Sequence, residues 1–451
     1  MNAIPQFLIA APSSGSGKTT VSRGLMALLT KKGLKVQPFK CGPDYIDTKY
    51  HAAVCGRPSI NLDTFMASKE HVQRLYARYA ARAGACVVEG MMGMYDGYER
   101  DKGSSAEIAG LLHLPVILVV DAKSAAYSVA PLLWGFLNFR PDVRIAGVIF
   151  NRVGSVRHYE MLCEVCRDLN ITCLGYLPKH KDLELASRYL GLDFSRSGGT
   201  EDTGLLTDLL EKHVDWKLLL EKTTSALPEK IAEKTVKTEQ QEQTEQPGDL
   251  HILVARNEES FSFIYEEHLD VLRRLGTVSF FNPEQDLPIP SDTDLLYLPG
   301  GYPEKHPDVL ARAGETLRSI RNYVEAGGRV LAECGGMIYL ARSIEYASGE
   351  AEDGCREELL AGVFPFRISA CKHRKLTLGY RSFDYNGQHL RGHEFHYTQI
   401  SEEPGDTLPP SVAQVYNARG QKVDTPVFRY KNVIASYTHL YWGEINLLEL
   451  F

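Results

Sequence analysis

The first part of the chain alternates short apolar runs with segments of helical periodicity. Six of these runs are continuous and rich in β-branched residues. Such runs are typical of parallel strands that are buried on both faces of a sheet. The pattern predicts a doubly wound, mostly parallel α/β domain over residues 1–195. The six predicted strands are QFLIAA, KVQPFK, ACVVEG, PVILVVDA, RIAGVIFN and TCLGYLP.

The alternation of apolar runs and helical segments stops in the middle of the chain and then resumes. Residues 225–250 are rich in Glu, Gln, Lys and Thr and contain no aromatic residue. Such a segment cannot bury enough apolar surface to offset the entropy of ordering it. We therefore interpret residues 196–248 as an extension of the first domain followed by a polar linker or solvated helix. A second α/β domain is predicted over residues 249–451, with strands in TDLLYLPGG, GGRVLAECGG and NVIASYTHLYW.

Composition narrows the class of protein. The 451 residues are 44% hydrophobic and 24% charged, as in a soluble globular protein. A net charge of -7 argues against a nucleic-acid partner, because nucleic-acid binders usually show a basic face. No apolar run approaches the roughly 18 residues that span a bilayer. The N-terminus lacks the charged region of a signal peptide. We expect a cytoplasmic protein with no membrane partner.

The cysteines predict reduced thiols. Nine are scattered along the chain, an odd number that does not indicate a disulfide framework. Cys163 and Cys166 form a C-x-x-C in an amphipathic segment, YEMLCEVCRDL, with no second pair at metal-ligand spacing. Core packing is therefore the favoured interpretation of this pair.

The stretch APSSGSGKTT, residues 11–20, lies between a predicted strand and a predicted helix. It matches a phosphate-binding loop except that Pro12 replaces the first glycine. In such a loop, glycines let backbone N–H groups approach the phosphates, lysine neutralises their charge and a hydroxyl binds magnesium. The first glycine mainly shapes the turn, so we expect proline to be tolerated at negative φ. The predicted ATP-binding residues here are Gly15, Ser16, Gly17, Lys18, Thr19 and Thr20.

Acidic residues follow two of the predicted strands. Glu89 ends ACVVE, where a phosphate-loop protein needs a second carboxylate for magnesium, and the glycines of GMMGMYDG come next. Asp44 and Asp47 follow the second strand, at the sheet edge where ligands bind. Asp44 can also serve as the cap of a Gly-Pro-Asp turn. Lys40 is either a base that holds an anionic substrate group or an exposed lysine at the end of a strand.

The second domain contains a cysteine in an elbow-like context. In RVLAECGGMIYLA, Cys334 stands between an apolar strand and a helix at a glycine-rich turn. The helix N-terminus should favour the thiolate. Backbone N–H groups of Gly335 and of Gly301, in LPGG, are the predicted oxyanion donors. His439, in ASYTHLYW, is the predicted base.

RGHEFHYT carries His393, Glu394 and His396 on a predicted strand. Strand alternation places Glu394 and His396 on one face. Because no third metal ligand is obvious, we favour side chains that line or support the site over a metal centre.

Taken in order, PFKCGPDYID, VVEGMMGMYDG, FNRVGS, LGYLP, LPGGYPE, AECGG, GHEFHY and ASYTHLYW resemble the cobyrinic acid a,c-diamide synthase family. The resemblance covers nearly the whole chain except the linker. It implies a dethiobiotin-synthetase-like ATPase domain joined to a class I glutamine amidotransferase domain. It also implies amidation of the a and c acetate side chains of a corrinoid, with ATP as co-substrate, Mg²⁺ as cofactor and L-glutamine as nitrogen donor.

By motif match, the resemblance implies that Cys334 is the glutaminase nucleophile and that His439 activates it. The other residues carried over from the family lie in the first domain. They comprise Asn151 for adenine, Thr19, Asp47 and Glu89 for the metal, and Lys40, Asp44, Tyr45 and Asp96 for the substrate.

One departure from class I amidotransferases bears on the assignment. They usually place a glutamate two residues after the histidine, where this chain has Tyr441, with Glu444 three further on. The resembled family also lacks that glutamate, so the departure supports the assignment. It also predicts a slower glutaminase, because the carboxylate normally controls the imidazole tautomer.

Alternatives remain at this point. Related enzymes amidate hydrogenobyrinic acid or nickel sirohydrochlorin, cobyric acid synthase amidates other side chains, and CTP synthase shares the domain order. A different class is a partitioning-type switch ATPase with an inactive amidotransferase module. Such switches carry a signature lysine where this chain has Ser13. The sequence leaves open whether the protein is a monomer or a homodimer.

Overall fold

The structure is a computed structural model that describes residues 3–180, 203–226, 248–347, 354–371, 376–401 and 408–451. The chain divides into two compact units, Met1–Thr244 and Glu245–Phe451. Most of the predicted polar linker lies outside the described residues. Across those ranges, no helix combines the length and apolar character needed to cross a membrane.

The first unit is built on one sheet. Its strands are β1 (Ile4–Ala10), β2 (Val36–Cys41), β3 (Ile60–Leu62), β4 (Ala85–Glu89), β5 (Val116–Asp121), β6 (Ile145–Val153), β7 (Cys173–Pro178) and β8 (Thr224–Ser225). The order is β3-β2-β4-β1-β5-β6-β7, with all neighbours parallel, and β8 pairs antiparallel with β1. The predicted doubly wound parallel fold is confirmed. The carboxyl ends of β1, β2 and β4 meet at one edge.

Helices cover this sheet. They are α1 (Lys18–Lys31), α2 (Asp47–Cys55), α3 (Lys69–Ala80), α4 (Ser105–Leu112), α5 (Val129–Asn138), α6 (Val156–Asp168), α7 (Thr203–His213) and α8 (Trp216–Thr223). The last two lie in the segment interpreted as an extension. Of these, α7 packs onto α1, whereas α8 packs against β1, β6 and β7. A Cβ on Gly24 of α1 would lie 2.3 Å from Leu210 of α7, so this helix needs a glycine there. The core of the first unit therefore includes residues beyond position 195.

The second unit has a central sheet with the order β10-β9-β11-β12-β22-β21, in which only β21 is antiparallel to its neighbour. Its strands are β9 (Leu250–Ala255), β10 (Gly276–Phe281), β11 (Leu295–Leu298), β12 (Arg329–Glu333), β21 (Val427–Tyr430) and β22 (Val433–Ser436). Its α-helices are α9 (Glu266–Leu275), α10 (Pro307–Arg312), α11 (Gly314–Glu325) and α12 (Gly335–Leu340). Short 3₁₀ helices span Pro283–Gln285, Pro303–Lys305 and Leu447–Leu450.

Two smaller, mostly antiparallel sheets complete the second unit. One has the order β14-β13-β15-β18 and the other β20-β19-β16-β17-β23. Their strands are β13 (Ser343–Ala347), β14 (Cys355–Leu359), β15 (Arg367–Ala370), β16 (Thr377–Tyr385), β17 (Gln388–His396), β18 (Gln399–Ser401), β19 (Val415–Asn417), β20 (Lys422–Val423) and β23 (Thr438–Leu440). Apart from RGHEFHYT and part of NVIASYTHLYW, these strands were not predicted from the sequence.

The expectation of reduced thiols needs a correction, because Cys355 and Cys371 form a disulfide. Strand pairing explains their proximity. Ala347 of β13 pairs with Cys355, and its neighbour Tyr346 pairs with Ala370, which precedes Cys371. The other seven cysteines are free thiols. Of the pair predicted to pack in the core, Cys166 is buried and Cys163 is half-buried.

Candidate active sites

The loop after β1 has the geometry of a phosphate-binding loop. Gly15 and Gly17 have φ angles of 79° and 99°, a region that favours glycine. A Cβ on Gly17 would lie 2.1 Å from the Asn151 amide nitrogen. That nitrogen donates to the Ser16 carbonyl at 2.9 Å, so Asn151, at the end region of β6, holds the loop backbone. Thr19 and Thr20 lie in the first turn of α1.

The GMMGMYDG loop packs against this phosphate-binding loop. The Lys18 ammonium donates a hydrogen bond to the Met92 carbonyl. A Cβ on Gly93 would lie 2.8 Å from the Pro12 carbonyl oxygen, so the glycine permits the close approach. Asp96 accepts from the Gly93 N–H at 2.9 Å, which places its carboxylate in the same loop. Burial lowers the pKa of Lys18, and the Glu89 charge opposes that shift.

Glu89 is the centre of the acidic cluster. Its Oε1 accepts from the Thr19 hydroxyl at 2.7 Å and from the Lys40 ammonium at 2.9 Å. Its Oε2 lies 2.7 Å from Nε2 of His51. Burial alone would raise the pKa of Glu89, but the Lys40 charge and the His51 hydrogen bond lower it below its ordinary value. The carboxylate is therefore ionised at neutral pH.

Lys40 is buried among carboxylates. Its ammonium contacts Asp47 and Glu89 directly and lies 3.7 Å from Asp44. Burial lowers the pKa of Lys40, yet these three charges raise it well above its ordinary value. The alternative of an exposed strand-end lysine is wrong, because the residue is 3% exposed. Its contacts show a cation that holds the acidic cluster together.

The other predicted substrate residues lie beside this cluster. Asp44 Oδ1 accepts from the N–H groups of Ile46 and Asp47, each at 2.8 Å, which is the turn-capping role left open above. Tyr45 is buried next to it. Burial and the Asp44 charge raise the pKa of Asp47.

The donor set fits Mg²⁺. Hard oxygen ligands from a hydroxyl and one or two carboxylates are the groups that this ion takes from proteins. Thr19 and Glu89 are in direct contact, and Lys40 bridges Glu89 to Asp47, so the three predicted metal ligands surround one region.

His51 belongs to this site and was missed in the sequence. Its side chain is fully buried on α2, with Nε2 at Glu89 and Nδ1 3.1 Å from the Ser59 hydroxyl. The available signal was a histidine four residues after Asp47, one helical turn away on the same face.

Cys334 forms the predicted elbow between β12 and α12. Its φ of 48° is strained for a residue other than glycine, and strain of this kind is common at reactive sites. Its backbone N–H donates to the Ser436 carbonyl at 2.8 Å, and its thiol donates to the Phe395 carbonyl at 3.6 Å. The expected bias toward thiolate is not found. Burial, with the charges of Glu304 and Glu394, raises the pKa of the thiol well above its ordinary value.

Glycines connect Cys334 to His439. A Cβ on Gly335 would lie 3.0 Å from the Gly301 nitrogen, so the two predicted oxyanion donors are neighbours. A Cβ on Gly300 would lie 2.1 Å from Cε1 of His439, so the imidazole packs directly on this glycine. Burial, with the charges of two other histidines, lowers the pKa of His439 to about 3. The ring is therefore neutral at neutral pH.

β17 supports this site. Oε1 of Glu394 lies 2.9 Å from Nε2 of His396, so these side chains share a face as predicted. Arg381 forms an ion pair with Glu394, and the His396 ring stacks on Tyr437 at 3.6 Å. His393 pairs with His439 across β17 and β23. Among the described residues, none of these groups belongs to a cluster with metal-ligand spacing.

Comparisons with known proteins agree with this division of the chain. Residues 7–191 match the family described as the CobQ/CobB/MinD/ParA nucleotide binding domain. Residues 251–446 match the CobB/CobQ-like glutamine amidotransferase domain.

Similar proteins cover both units. The chain is 37% identical to the cobyrinate a,c-diamide synthase of Caldanaerobacter subterraneus, over 96% of this chain and 94% of that protein. It is 40% identical to the hydrogenobyrinate a,c-diamide synthase of Brucella anthropi, over 96% and 98%. It is 36% identical to the cobyrinate a,c-diamide synthase of Dehalococcoides mccartyi, over 97% and 95%.

Proposed function

Because the chain belongs to the family of cobyrinate and hydrogenobyrinate a,c-diamide synthases, we propose that it amidates the a and c carboxylates of cobyrinic acid in cobalamin biosynthesis. It is a glutamine-hydrolysing carbon–nitrogen ligase that uses ATP. One observation supports this most directly: a single chain carries both a phosphate-binding loop on a buried carboxylate cluster and a cysteine elbow beside a buried histidine.

The second unit releases ammonia from glutamine. The Cys334 sulfur attacks the carboxamide carbon while His439 accepts the thiol proton, then returns it to the leaving nitrogen. A protonated thiol and a neutral imidazole are the resting forms that the burial of both groups favours. The N–H groups of Gly301 and Gly335 stabilise the oxyanion. Water then hydrolyses the thioester to glutamate and restores the thiol.

The first unit activates the substrate carboxylate. Lys18 and the backbone N–H groups of the loop hold the β- and γ-phosphates of ATP. Mg²⁺, held by Thr19, Asp47 and Glu89, would neutralise phosphate charge. The substrate carboxylate attacks the γ-phosphorus and displaces ADP. Ammonia then attacks the acyl phosphate, forming the amide and releasing phosphate.

Several residues have finer roles in this proposal. Asp44, Tyr45 and Asp96 contact the corrinoid or its acyl phosphate. Asn151 lies against the loop and would also approach the adenine. Lys40 was assigned to the substrate, but its contacts favour a role in holding Glu89 and Asp47 in place.

The tetrapyrrole is identified by a direct assay, because relatives named cobyrinate and hydrogenobyrinate a,c-diamide synthase are about equally similar to this chain. The enzyme should be incubated with ATP, Mg²⁺ and glutamine labelled with ¹⁵N in the amide, against cobyrinic acid, hydrogenobyrinic acid and nickel sirohydrochlorin separately. Mass spectrometry then counts the labelled nitrogens. We expect two on cobyrinic acid. Two on another tetrapyrrole would reassign the substrate, and none on any would overturn the proposed function.

The switch-ATPase alternative is not retained. The relatives that cover both units are named as synthases, and the cysteine elbow is formed. Ser13, at the position of the signature lysine, contacts the Ser16 hydroxyl at 3.2 Å within the loop.

Gly300→Ala tests the contact between the glycine and the base. The added methyl group would lie 2.1 Å from Cε1 of His439, so the ring must move. We expect kcat for glutamine hydrolysis to fall about 100-fold, since a shift of about 1 Å can cost that much. Ammonia-dependent amidation should persist. Gly314→Ala is the control, because a Cβ there meets no atom within 4 Å. Unchanged glutaminase in Gly300→Ala would contradict the packing of His439 on this glycine.

A further inference from the structure

Glu333 is a buried acid that the proposed mechanism leaves unexplained. It ends β12 and directly precedes Cys334, with 2% of its surface exposed. Its Oε1 accepts from the Leu440 N–H at 3.1 Å and from the Trp442 indole N–H at 3.2 Å. Its Oε2 accepts from the Tyr297 hydroxyl at 2.8 Å. A buried carboxylate is costly unless its oxygens are bonded, and here both are.

The Leu440 N–H belongs to the peptide that directly follows His439. The other side of this peptide is the His439 carbonyl, which packs against β17. A Cβ on Gly392 would lie 2.1 Å from that carbonyl oxygen, and Gly392 pairs with Leu440. The backbone of the base is therefore held on one side by β17 and on the other by Glu333.

The two catalytic groups lie on strands of different sheets. Cys334 follows β12 in the central sheet of the second unit, whereas His439 lies on β23, which pairs with β17 in another sheet. Backbone pairing between β12 and β23 therefore does not set their separation. The Glu333 side chain supplies a direct link, because it joins the residue before the nucleophile to the peptide after the base.

The glutamate that usually orients the histidine in class I amidotransferases is replaced by a tyrosine here. Tyr441, two residues after His439, donates its hydroxyl to the carboxylate of Glu267 on α9. We propose that Glu333 is the positioning residue for His439, and that it sets the distance between base and nucleophile through the backbone of β23. This inference rests on the proposed glutaminase function.

The role depends on acceptor geometry more than on charge. The three donors to Glu333 are neutral groups. Burial raises the pKa of Glu333 to about 8. A protonated carboxyl group can keep Oε1 as the acceptor and place its proton on Oε2, toward Tyr297. A glutamine can do the same with its amide oxygen at Leu440 and its nitrogen toward the tyrosine hydroxyl.

Substitutions at Glu333 separate positioning from burial. Glu333→Leu removes the acceptor, and kcat for glutamine hydrolysis should fall about 100-fold, as expected for a misplaced base. Glu333→Asp shortens the side chain by one methylene group, and kcat for glutamine hydrolysis should fall about 10-fold because the base is again misplaced. Glu333→Gln should stay within about fivefold of wild type, because it preserves the three hydrogen bonds. In all three, the KM for glutamine and the ammonia-dependent amidation should change little.

Tyr297→Phe is the matched control. It removes the hydrogen bond to the same carboxylate, but on Oε2, which does not contact the strand of His439. Thermal unfolding should show that it destabilises the protein, while the kcat for glutamine stays within about twofold, because the base is not displaced.

The outcomes are distinct. Equal losses of kcat in Glu333→Leu and Tyr297→Phe would overturn the inference, as would full glutaminase activity in Glu333→Leu and Glu333→Asp. If the Glu333 variants lost glutamine-dependent and ammonia-dependent activity to the same extent, the role of Glu333 would be purely structural and the inference would be wrong. If Glu333→Leu does not fold, the comparison of Glu333→Asp with Glu333→Gln decides. A wild-type protein without glutaminase activity would instead overturn the proposed function itself.

Discussion

Cys334→Ala is expected to abolish glutamine-dependent amidation while leaving amidation from ammonium salts intact. The thiol is the only group of the elbow that can form the thioester, so kcat with glutamine should fall by at least about 10⁴-fold. Alanine adopts a φ of 48° at no greater steric cost than cysteine, so the turn at this position should persist. The phosphate-binding loop and its carboxylates belong to the other compact unit and are unchanged. Both rates can be followed by ADP release at saturating ATP.

Cys166→Ala is a suitable control for the loss of a buried thiol, because Cys166 is buried on α6 and contacts neither site. It should keep both activities. Equal loss of the glutamine- and ammonia-dependent rates in Cys334→Ala would contradict the division of labour between the two units.

Local motifs allowed the centres of both sites to be predicted from sequence. A phosphate-binding loop and a nucleophile elbow are contiguous segments whose glycines and strand–turn–helix context report a required backbone conformation. Gly15, Gly17 and Cys334 have the positive φ angles that these motifs require. The parallel strands of the first unit were also predictable, because burial on both faces produces continuous apolar runs.

The interactions between distant segments were not predictable. Gly300 and His439 are in contact although 139 positions apart by their numbers, and nothing in either segment specifies the other. Lys40 was expected to face a substrate, but three carboxylates surround it. Cys334 was expected to favour the thiolate because of the helix that follows. Tertiary burial, which sequence does not report, outweighs the six-residue helix α12.

The strands of the smaller sheets were missed for a different reason. β14, CREEL, is mostly charged and largely exposed, so it lacks both a continuous apolar run and a clean alternation. Glu333 did give a signal, as a single acid directly after the apolar residues VLA of β12. Its meaning depends on Leu440 and Trp442, more than 100 positions away, so the signal could be noticed but not interpreted.

Glu89→Gln is expected to abolish ATP-dependent amidation from either nitrogen source and to spare glutamine hydrolysis. The NH₂ group of the new amide would face either the donors Thr19 and Lys40 or the ring nitrogen of His51. The substitution would also remove the negative charge that balances Lys40. We expect the amidation rate to fall at least about 10³-fold, the scale for losing one preorganised electrostatic group in a dry site. The loss should be measured with ammonium salts, so that the glutaminase does not enter.

The same substitution should destabilise the first unit. Removing one partner of a buried ion pair leaves an uncompensated charge and typically costs about 3–5 kcal/mol. Because the pKa of Glu89 is lowered by folding, its stabilising effect is present at neutral pH and is lost as pH falls through the folded pKa. The difference in unfolding free energy between wild type and Glu89→Gln should therefore be largest near neutral pH and shrink in acid.

Glu107→Gln is the matched control for Glu89→Gln. Glu107 is also a carboxylate with three donors, each at 2.7 Å, from Thr64, Gly103 and Lys69, but it lies outside the site. Its loss should lower stability without a comparable loss of amidation. If Glu107→Gln and Glu89→Gln reduced amidation equally at a temperature where both are folded, the loss would not be specific to Glu89. The assignment of Glu89 to the metal and phosphate site would then be wrong.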